Sequence, residues 1–147
     1  MEKITPNFTW NEASCSQELP ADIKVNMKWF FETVLQPMRV AFGKPFKINS
    51  SYRSPAKNAT TIGASKTSFH MTGHAVDIDV IGGGNTKLME YLYANKDKFT
   101  FDKVIGEHAV NGEYSWVHIQ ARPETLRKEF YTASGNREKP VYTPYKG

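Results

Sequence analysis

The most regular pattern in the chain is a helical spacing of apolar residues between Ala21 and Gly43. Apolar side chains recur there every three or four positions and form one broad face: Ile23, Met27, Phe30, Phe31, Val34, Leu35, Met38 and Phe42. This spacing predicts an amphipathic helix that packs on a core, with Gly43 as its C-terminal stop. Pro37 lies inside the interval, and we expect it to bend the helix or to leave one carbonyl unpaired.

Alternation of apolar and polar residues predicts four strands in the rest of the chain. We expect them at 46–50, 75–80, 101–107 and 115–120. In the second of these strands the apolar branched residues fall on one face and both aspartates fall on the other. The last two strands are joined through Asn111-Gly112, a dipeptide that is typical of tight hairpin turns.

The remaining segments predict further helices and a C-terminal extension. Residues 55–67 are small and polar, which indicates a short helix and a loop, and 85–98 have an amphipathic helical pattern. Residues 123–132 begin with proline and glutamate and are expected to form a last helix. Residues 134–147 are interpreted as a C-terminal arm. The order of these elements predicts one α+β domain, a mainly antiparallel sheet with helices packed against it.

Composition narrows the class of protein. The 147 residues are 39% hydrophobic and 13% aromatic, which is typical of a single folded domain. No apolar run is long enough for a membrane span, and the first residues lack the apolar stretch of a secretory signal. We therefore expect synthesis in the cytoplasm and no membrane insertion. We also expect a monomer, and Cys15 is the single cysteine, so no intrachain disulfide can form.

The net charge of +4 favours acidic partners. The basic residues are scattered rather than clustered, so we do not predict nucleic-acid binding. A solvated basic surface explains the charge equally well.

Candidate metal ligands are found in two short segments. Residues 68–77 read Ser-Phe-His-Met-Thr-Gly-His-Ala-Val-Asp, with His70 and Asp77 seven positions apart. His118 follows Trp116 in the last predicted strand and offers a third ligand. Two histidines and one carboxylate suit a catalytic zinc ion, which keeps one coordination position open. The other two histidines of the chain are not assigned as ligands.

These motifs resemble those of a known family of metallopeptidases. The pattern S-x-H-x-x-G-x-A-x-D, the later Trp-x-His, and Ser51-Tyr52-Arg53-Ser54-Pro55 are similar to motifs of the zinc D-alanyl-D-alanine carboxypeptidases, the D,D-dipeptidases and the phage L-alanyl-D-glutamate endolysins. In the third motif serine replaces the family's first glycine. The resemblance spans Phe8 to Ile119 and implies a hedgehog/DD-peptidase-like fold, a Zn²⁺ cofactor and a peptidoglycan peptide substrate.

Three residues are candidates for substrate binding. Arg53 can clamp a carboxylate of a wall peptide with two parallel hydrogen bonds. Ser68 either supports the loop that carries His70 or bonds to the substrate backbone. Trp116 shares a strand face with His118, and it either walls the pocket or packs against the next loop.

The general base has two candidates, Glu107 and Glu113. In many relatives an acidic residue stands three positions before the last histidine, but Ser115 occupies that place here. If the hairpin turn has two residues, Glu107 lies opposite Trp116 and on the same face as His118, roughly 7–8 Å away between backbones. Glu113 then points to the other face. This register favours Glu107, and one bulge would reverse the choice.

The leading functional hypothesis is a zinc peptidase that cuts a bond in peptidoglycan. Both a carboxypeptidase and a phage-type endolysin, released to the wall after synthesis, fit the motifs. The alternative is a catalytically inactive binding or structural module that retains the fold. A nucleic-acid binder would rest on charge alone.

Overall fold

The computed structural model describes residues 2–62, 64–65, 67–136 and 138–147. The helices are α1 (Trp10–Ser14), α2 (Ala21–Phe30), α3 (Gln36–Phe42), α4 (Pro55–Thr60) and α5 (Asn85–Ala94). The strands are β1 (Lys3–Thr5), β2 (Phe8–Thr9), β3 (Phe46–Ser50), β4 (Ala75–Val80), β5 (Lys103–Glu107), β6 (Trp116–Gln120), β7 (Glu129–Asn136) and β8 (Lys139–Pro144). This is a mixed α+β architecture, as the sequence predicts.

Six strands form the main sheet in the order β3-β4-β6-β5-β7-β8. Every neighbouring pair is antiparallel except β5 and β7, which run parallel. The four strands expected from alternation are all present, each within two residues of its expected bounds. β1 and β2 form a separate two-stranded sheet near the N-terminus.

The core lies between one face of the main sheet and the helices. Val76 and Ile78 of β4 and Val117 and Ile119 of β6 are buried in one cluster with the apolar residues of α2, α3 and α5. Because side chains alternate along a strand, the residues between them point to the opposite face of the sheet. That opposite face carries the polar residues considered below.

The helix predicted between Ala21 and Gly43 is present, with one irregular turn. Residues Phe31–Leu35 form a π turn between α2 and α3, and the N–H of Gln36 bonds to the carbonyl of Phe31. Pro37 falls directly after this turn, within the first two positions of α3. The irregularity expected at the proline is thus a widened turn in front of it. Gly43 ends the helix in the left-handed conformation.

The prediction of a helix at 123–132 is wrong. A tight turn closed between Arg122 and Thr125 comes first, and β7 begins at Glu129 and pairs with β5. The proline and glutamate are local helix signals, but β5 offers a free edge whose backbone groups need partners. The hydrogen bonds gained by pairing with that edge outweigh the local preference of these residues for a helix. In the segment expected to form a C-terminal arm, 134–136 complete β7, and Lys139–Pro144 form β8, which pairs with β7 at the end of the sheet.

The hairpin between β5 and β6 has the expected two-residue turn. Val110 pairs with Glu113, and Asn111 and Gly112 both have positive φ, as such a turn requires. Within the described residues, no helix has both the length and the apolar character needed to cross a membrane.

Candidate metal centre

Asp77 and His118 meet because their strands are neighbours. They are paired directly across the antiparallel strands β4 and β6. His70 approaches from a single 3₁₀ turn, Phe69–Thr72, which comes just before β4. Gly73 ends that turn with φ of 75°, and an added Cβ would lie 2.8 Å from Met27. Only glycine therefore fits the position that returns the chain from His70 to β4.

The three side chains form a compact cluster. The Nδ1 atom of His118 lies 3.0 Å from Oδ1 of Asp77, and Nε2 of His70 lies 3.4 Å from Oδ2 of Asp77. One ligand atom from each residue lies within 4.8 Å of the others, so the three side chains could hold a metal ion.

The outer nitrogen of each histidine has its own partner. Nδ1 of His70 lies 2.6 Å from the carbonyl oxygen of Ser51, and Nε2 of His118 lies 2.8 Å from Oε1 of Gln120. Metal-binding histidines almost always donate their outer N–H to such an acceptor, which leaves the inner nitrogen for the metal. The set of two imidazoles and one carboxylate also matches the ligands of catalytic zinc. The residues therefore fit the ion that the motifs imply.

Burial and mutual attraction shape the charges of the cluster. Burial lowers the pKa of His70 and outweighs the attraction of Asp77. Burial alone would raise the pKa of Asp77, but the two histidines outweigh it and hold the pKa well below its ordinary range. The opposite balance holds for His118, because its contact with Asp77 outweighs burial and raises its pKa. Asp77 is therefore ionised at neutral pH, the state in which a carboxylate can bind a metal ion.

Glu107 lies in the cleft beside this cluster. It pairs with Trp116 across β5 and β6, the register that the sequence predicts. The indole Nε1 of Trp116 donates to Oε2 of Glu107 over 2.9 Å. Burial and the nearby Asp77 raise the pKa of Glu107, against the opposing effects of His118 and Trp116. A carboxylate of raised pKa accepts a proton more readily.

Glu113 has a different role in the structure. Its Oε1 accepts a hydrogen bond of 2.6 Å from the N–H of Thr86 at the start of α5. A carboxylate in that position stabilises the N-terminal end of a helix. Glu113 does not line the cleft that contains the metal ligands.

Arg53 and Ser68 are tied to the His70 turn. The N–H of Arg53 donates to the carbonyl of His70, and its Nη2 lies 3.3 Å from Oγ of Ser68. The same hydroxyl accepts from the N–H of His70. Ser68 thus supports the His70 loop, which is one of the two roles expected for it. In the same motif Ser54 caps α4 and Pro55 begins it.

The cluster lies in an open cleft of about 1060 Å³. Among the described residues, the lysine and arginine side chains that line it are Arg53, Lys57, Lys103 and Arg127. Trp116 also lines the cleft and contacts His108 in a tilted arrangement, with 5.3 Å between ring centroids. The far wall is formed by Tyr131, Pro140 and Tyr142 of β7 and β8. The cleft is therefore built by both the motif-bearing part of the chain and its C-terminal hairpin.

Sequence reasoning missed some residues that contact this site. Gln120 bonds to His118, and its position two residues later on the same strand face was a usable signal. Asp102 and Arg127 lie behind Gln120, and Tyr142 faces the cleft from β8. The sequence did not predict the pairing of β7 and β8. It therefore did not predict that residues of these strands line the cleft. His74 bonds to Thr72 instead of joining the cluster.

The protein has an α+β fold with a His-Asp-His cluster in a cleft. These features place it in the class of candidate metal-dependent enzymes. The family model described as Peptidase M15 matches residues 6–120, which is most of the chain. The protein therefore belongs to the M15 family of zinc metallopeptidases. A search of curated proteins gave no significant match.

Proposed function

We propose that the protein is a zinc-dependent peptidase that hydrolyses a peptide bond in bacterial peptidoglycan. The observation that carries the proposal is the His70-Asp77-His118 cluster with Glu107 in the same cleft. The family membership and the arrangement of the sheet also support a fold of the hedgehog/DD-peptidase type.

The three ligands would hold the ion. When bound, zinc lowers the pKa of water to about 7 and polarises the scissile carbonyl. Glu107 accepts a proton from the attacking water and delivers it to the leaving amine. Its hydrogen bond from Trp116 fixes one carboxylate oxygen and leaves the other for this transfer.

Arg53 provides the recognition of a carboxylate. Its Nε is buried and has no hydrogen-bond partner within the described part of the chain, although Nη2 is held by Ser68. A planar guanidinium with an unused donor suits a carboxylate that binds through two parallel bonds. Wall peptides carry such groups at D-alanine and D-glutamate. Burial lowers the pKa of Arg53, but an arginine stays charged in a protein.

We propose that the protein acts as a monomer on the wall, after synthesis in the cytoplasm and release, without nucleic acid or membrane insertion. Removal of a terminal D-alanine and cleavage of an internal bond both satisfy the chemistry described. In each case the products are a new carboxyl terminus and a new amine.

A digest of purified wall peptides tests this proposal. Zinc-loaded protein should release fragments that mass spectrometry identifies by one added water per cut. A chelator should abolish the release, and added zinc should restore it. The masses also show whether the bond cut is terminal or internal. If zinc binds and no fragment appears from any wall preparation, the protein is an inactive module that retains the fold.

A further inference from the structure

A buried chain of hydrogen bonds leads from His118 away from the metal site. Oε1 of Gln120 lies 2.8 Å from Nε2 of His118, and Nε2 of Gln120 lies 2.9 Å from Oδ2 of Asp102. Asp102 is fully buried. Arg127 donates to its carboxylate from the backbone N–H, from Nε and from Nη2, over 2.7–3.0 Å.

The hydrogen bonds that link His118, Gln120 and Asp102 have a fixed donor-to-acceptor direction. An ionised carboxylate only accepts hydrogen bonds, so Gln120 must present its NH₂ group to Asp102. Its carbonyl oxygen then faces His118, and the imidazole Nε2 must carry the hydrogen. Burial acts to raise the pKa of Asp102, but the bonds from Arg127 and Gln120 outweigh it and keep the carboxyl ionised. The negative charge of Asp102 therefore persists at neutral pH and fixes which way each hydrogen bond between Asp102 and His118 points.

The reverse direction would leave two acceptors facing each other. If Nδ1 of neutral His118 carried the hydrogen, Nε2 would accept, and Gln120 would have to turn its NH₂ group toward the ring. Its oxygen would then meet the Asp102 carboxylate in a buried place. An unmade hydrogen bond of this kind costs about 1–3 kcal/mol. In the metal-free protein Nδ1 also faces an acceptor, the ionised Asp77 carboxylate 3.0 Å away, so the hydrogen that a metal would displace is the one on Nδ1.

We propose that the Asp102-Arg127 pair, acting through Gln120, keeps the hydrogen of His118 on Nε2 and so reserves Nδ1 for the metal. Gln120 is thus a positioning residue, and Asp102 sets its orientation. This inference rests on the proposed zinc site. It also gives the C-terminal segment a part in that site, since Arg127 lies beyond the residues that match the family model.

His118 allows this test because its outer partner is a side chain. The outer partner of His70 is a backbone carbonyl, which accepts in any case and cannot be removed by substitution. Gln120→Met keeps the length of the side chain and removes both bonds. Gln36→Met is a matched control, because Gln36 also exchanges two hydrogen bonds, with Asn7, at a site remote from the cleft.

Two readouts separate positioning from folding. Zinc affinity, measured by competition with a chelator, should fall about 10- to 100-fold in Gln120→Met, the usual cost of losing an outer partner, and should be unchanged in Gln36→Met. Long-range ¹H–¹⁵N spectra of the zinc-loaded protein should show the hydrogen of His118 on Nε2, in a hydrogen bond to Gln120. In Gln120→Met the signal of this ring N–H should move to the position of a nitrogen without that bond. In Asp102→Asn the amide can turn Gln120 around, so zinc affinity should fall toward that of Gln120→Met.

Equal zinc affinity in Gln120→Met and the parent would overturn the inference, as would a zinc-loaded parent with the hydrogen on Nδ1. The parent spectrum decides even if a variant does not fold. If the parent binds no zinc, the proposed function fails and the inference fails with it, whereas equal affinities overturn the inference alone.

Discussion

Asp77 and His118 face each other across β4 and β6 with 3.0 Å between Oδ1 and Nδ1. Each is supplied by a strand of the same sheet, so the spacing between them is set by the backbone hydrogen bonds between β4 and β6. His70 alone comes from a turn, and that turn is fixed by Ser68 and Gly73. A site built in this way is preorganised for an ion before the ion binds.

Removal of one ligand should remove the metal. We expect His118→Ala to lose most of its bound zinc, because two remaining ligands do not hold a catalytic ion in place. Elemental analysis after dialysis measures this loss. His74→Ala is the control and should keep one zinc per chain, since His74 bonds to Thr72 outside the cluster. Full zinc in His118→Ala would show that the ligand set is wrong.

Arg53→Lys should weaken catalysis without loss of zinc. Lysine is a point charge and cannot form the two parallel bonds of a guanidinium. We expect kcat/KM on a wall peptide to fall by about 10- to 100-fold, which corresponds to the roughly 1.5–3 kcal/mol of a charged hydrogen bond. Arg39→Lys, on α3 and outside the cleft, serves as the control. Unchanged kcat/KM in Arg53→Lys would rule out the carboxylate clamp.

Tyr142 should contribute to substrate binding from the C-terminal hairpin. Both Tyr142 and the adjacent Val141 are exposed, but Tyr142 lies on the cleft wall, whereas Val141 points to the other side of β8 and does not line the cleft. Tyr142→Ala should raise KM for a wall peptide several-fold and leave zinc content unchanged. Val141→Ala should have no effect on KM. The kinetics of the two variants decide whether β8 contacts the substrate, and equal KM values would show that it does not.

Asp102 should make stability depend on pH in the acidic range. Its pKa in the folded protein lies below the ordinary value of about 3.9. Asp102 therefore stabilises the fold above about pH 4, and this contribution is lost as the pH falls through the lowered pKa. Urea unfolding of metal-free protein should show a steeper loss of stability from pH 5 to pH 3 in the parent than in Asp102→Asn. Parallel pH profiles would contradict the assignment of this charge.

The cluster of His70, Asp77 and His118 could be predicted because short patterns carry these residues. His70 and Asp77 stand in one ten-residue motif, and strand alternation places Asp77 and His118 on the polar face. The position of Glu107 opposite Trp116 followed from the Asn111-Gly112 turn, which fixes the register of the hairpin. In these cases the decisive interactions are local in the sequence.

β7 could not be predicted in the same way. Its partner is the edge of β5, more than twenty residues earlier, and the local signals of 123–132 favour a helix. A parallel pair has no connecting turn that marks it in the sequence. The contact of Arg127 with Asp102, and hence the bonded chain behind His118, depended on that pairing.

The most direct test of the account is Glu107→Gln assayed for both zinc and wall hydrolysis. Glutamine has the shape of glutamate but cannot take up the proton of the attacking water. We predict one zinc per chain and a loss of kcat of at least 100-fold, in line with the usual contribution of a general base. Glu113→Gln is the matched control and should keep both zinc and activity. Full activity in Glu107→Gln, or loss only in Glu113→Gln, would contradict the central claim that Glu107 and the His70-Asp77-His118 cluster form one catalytic site.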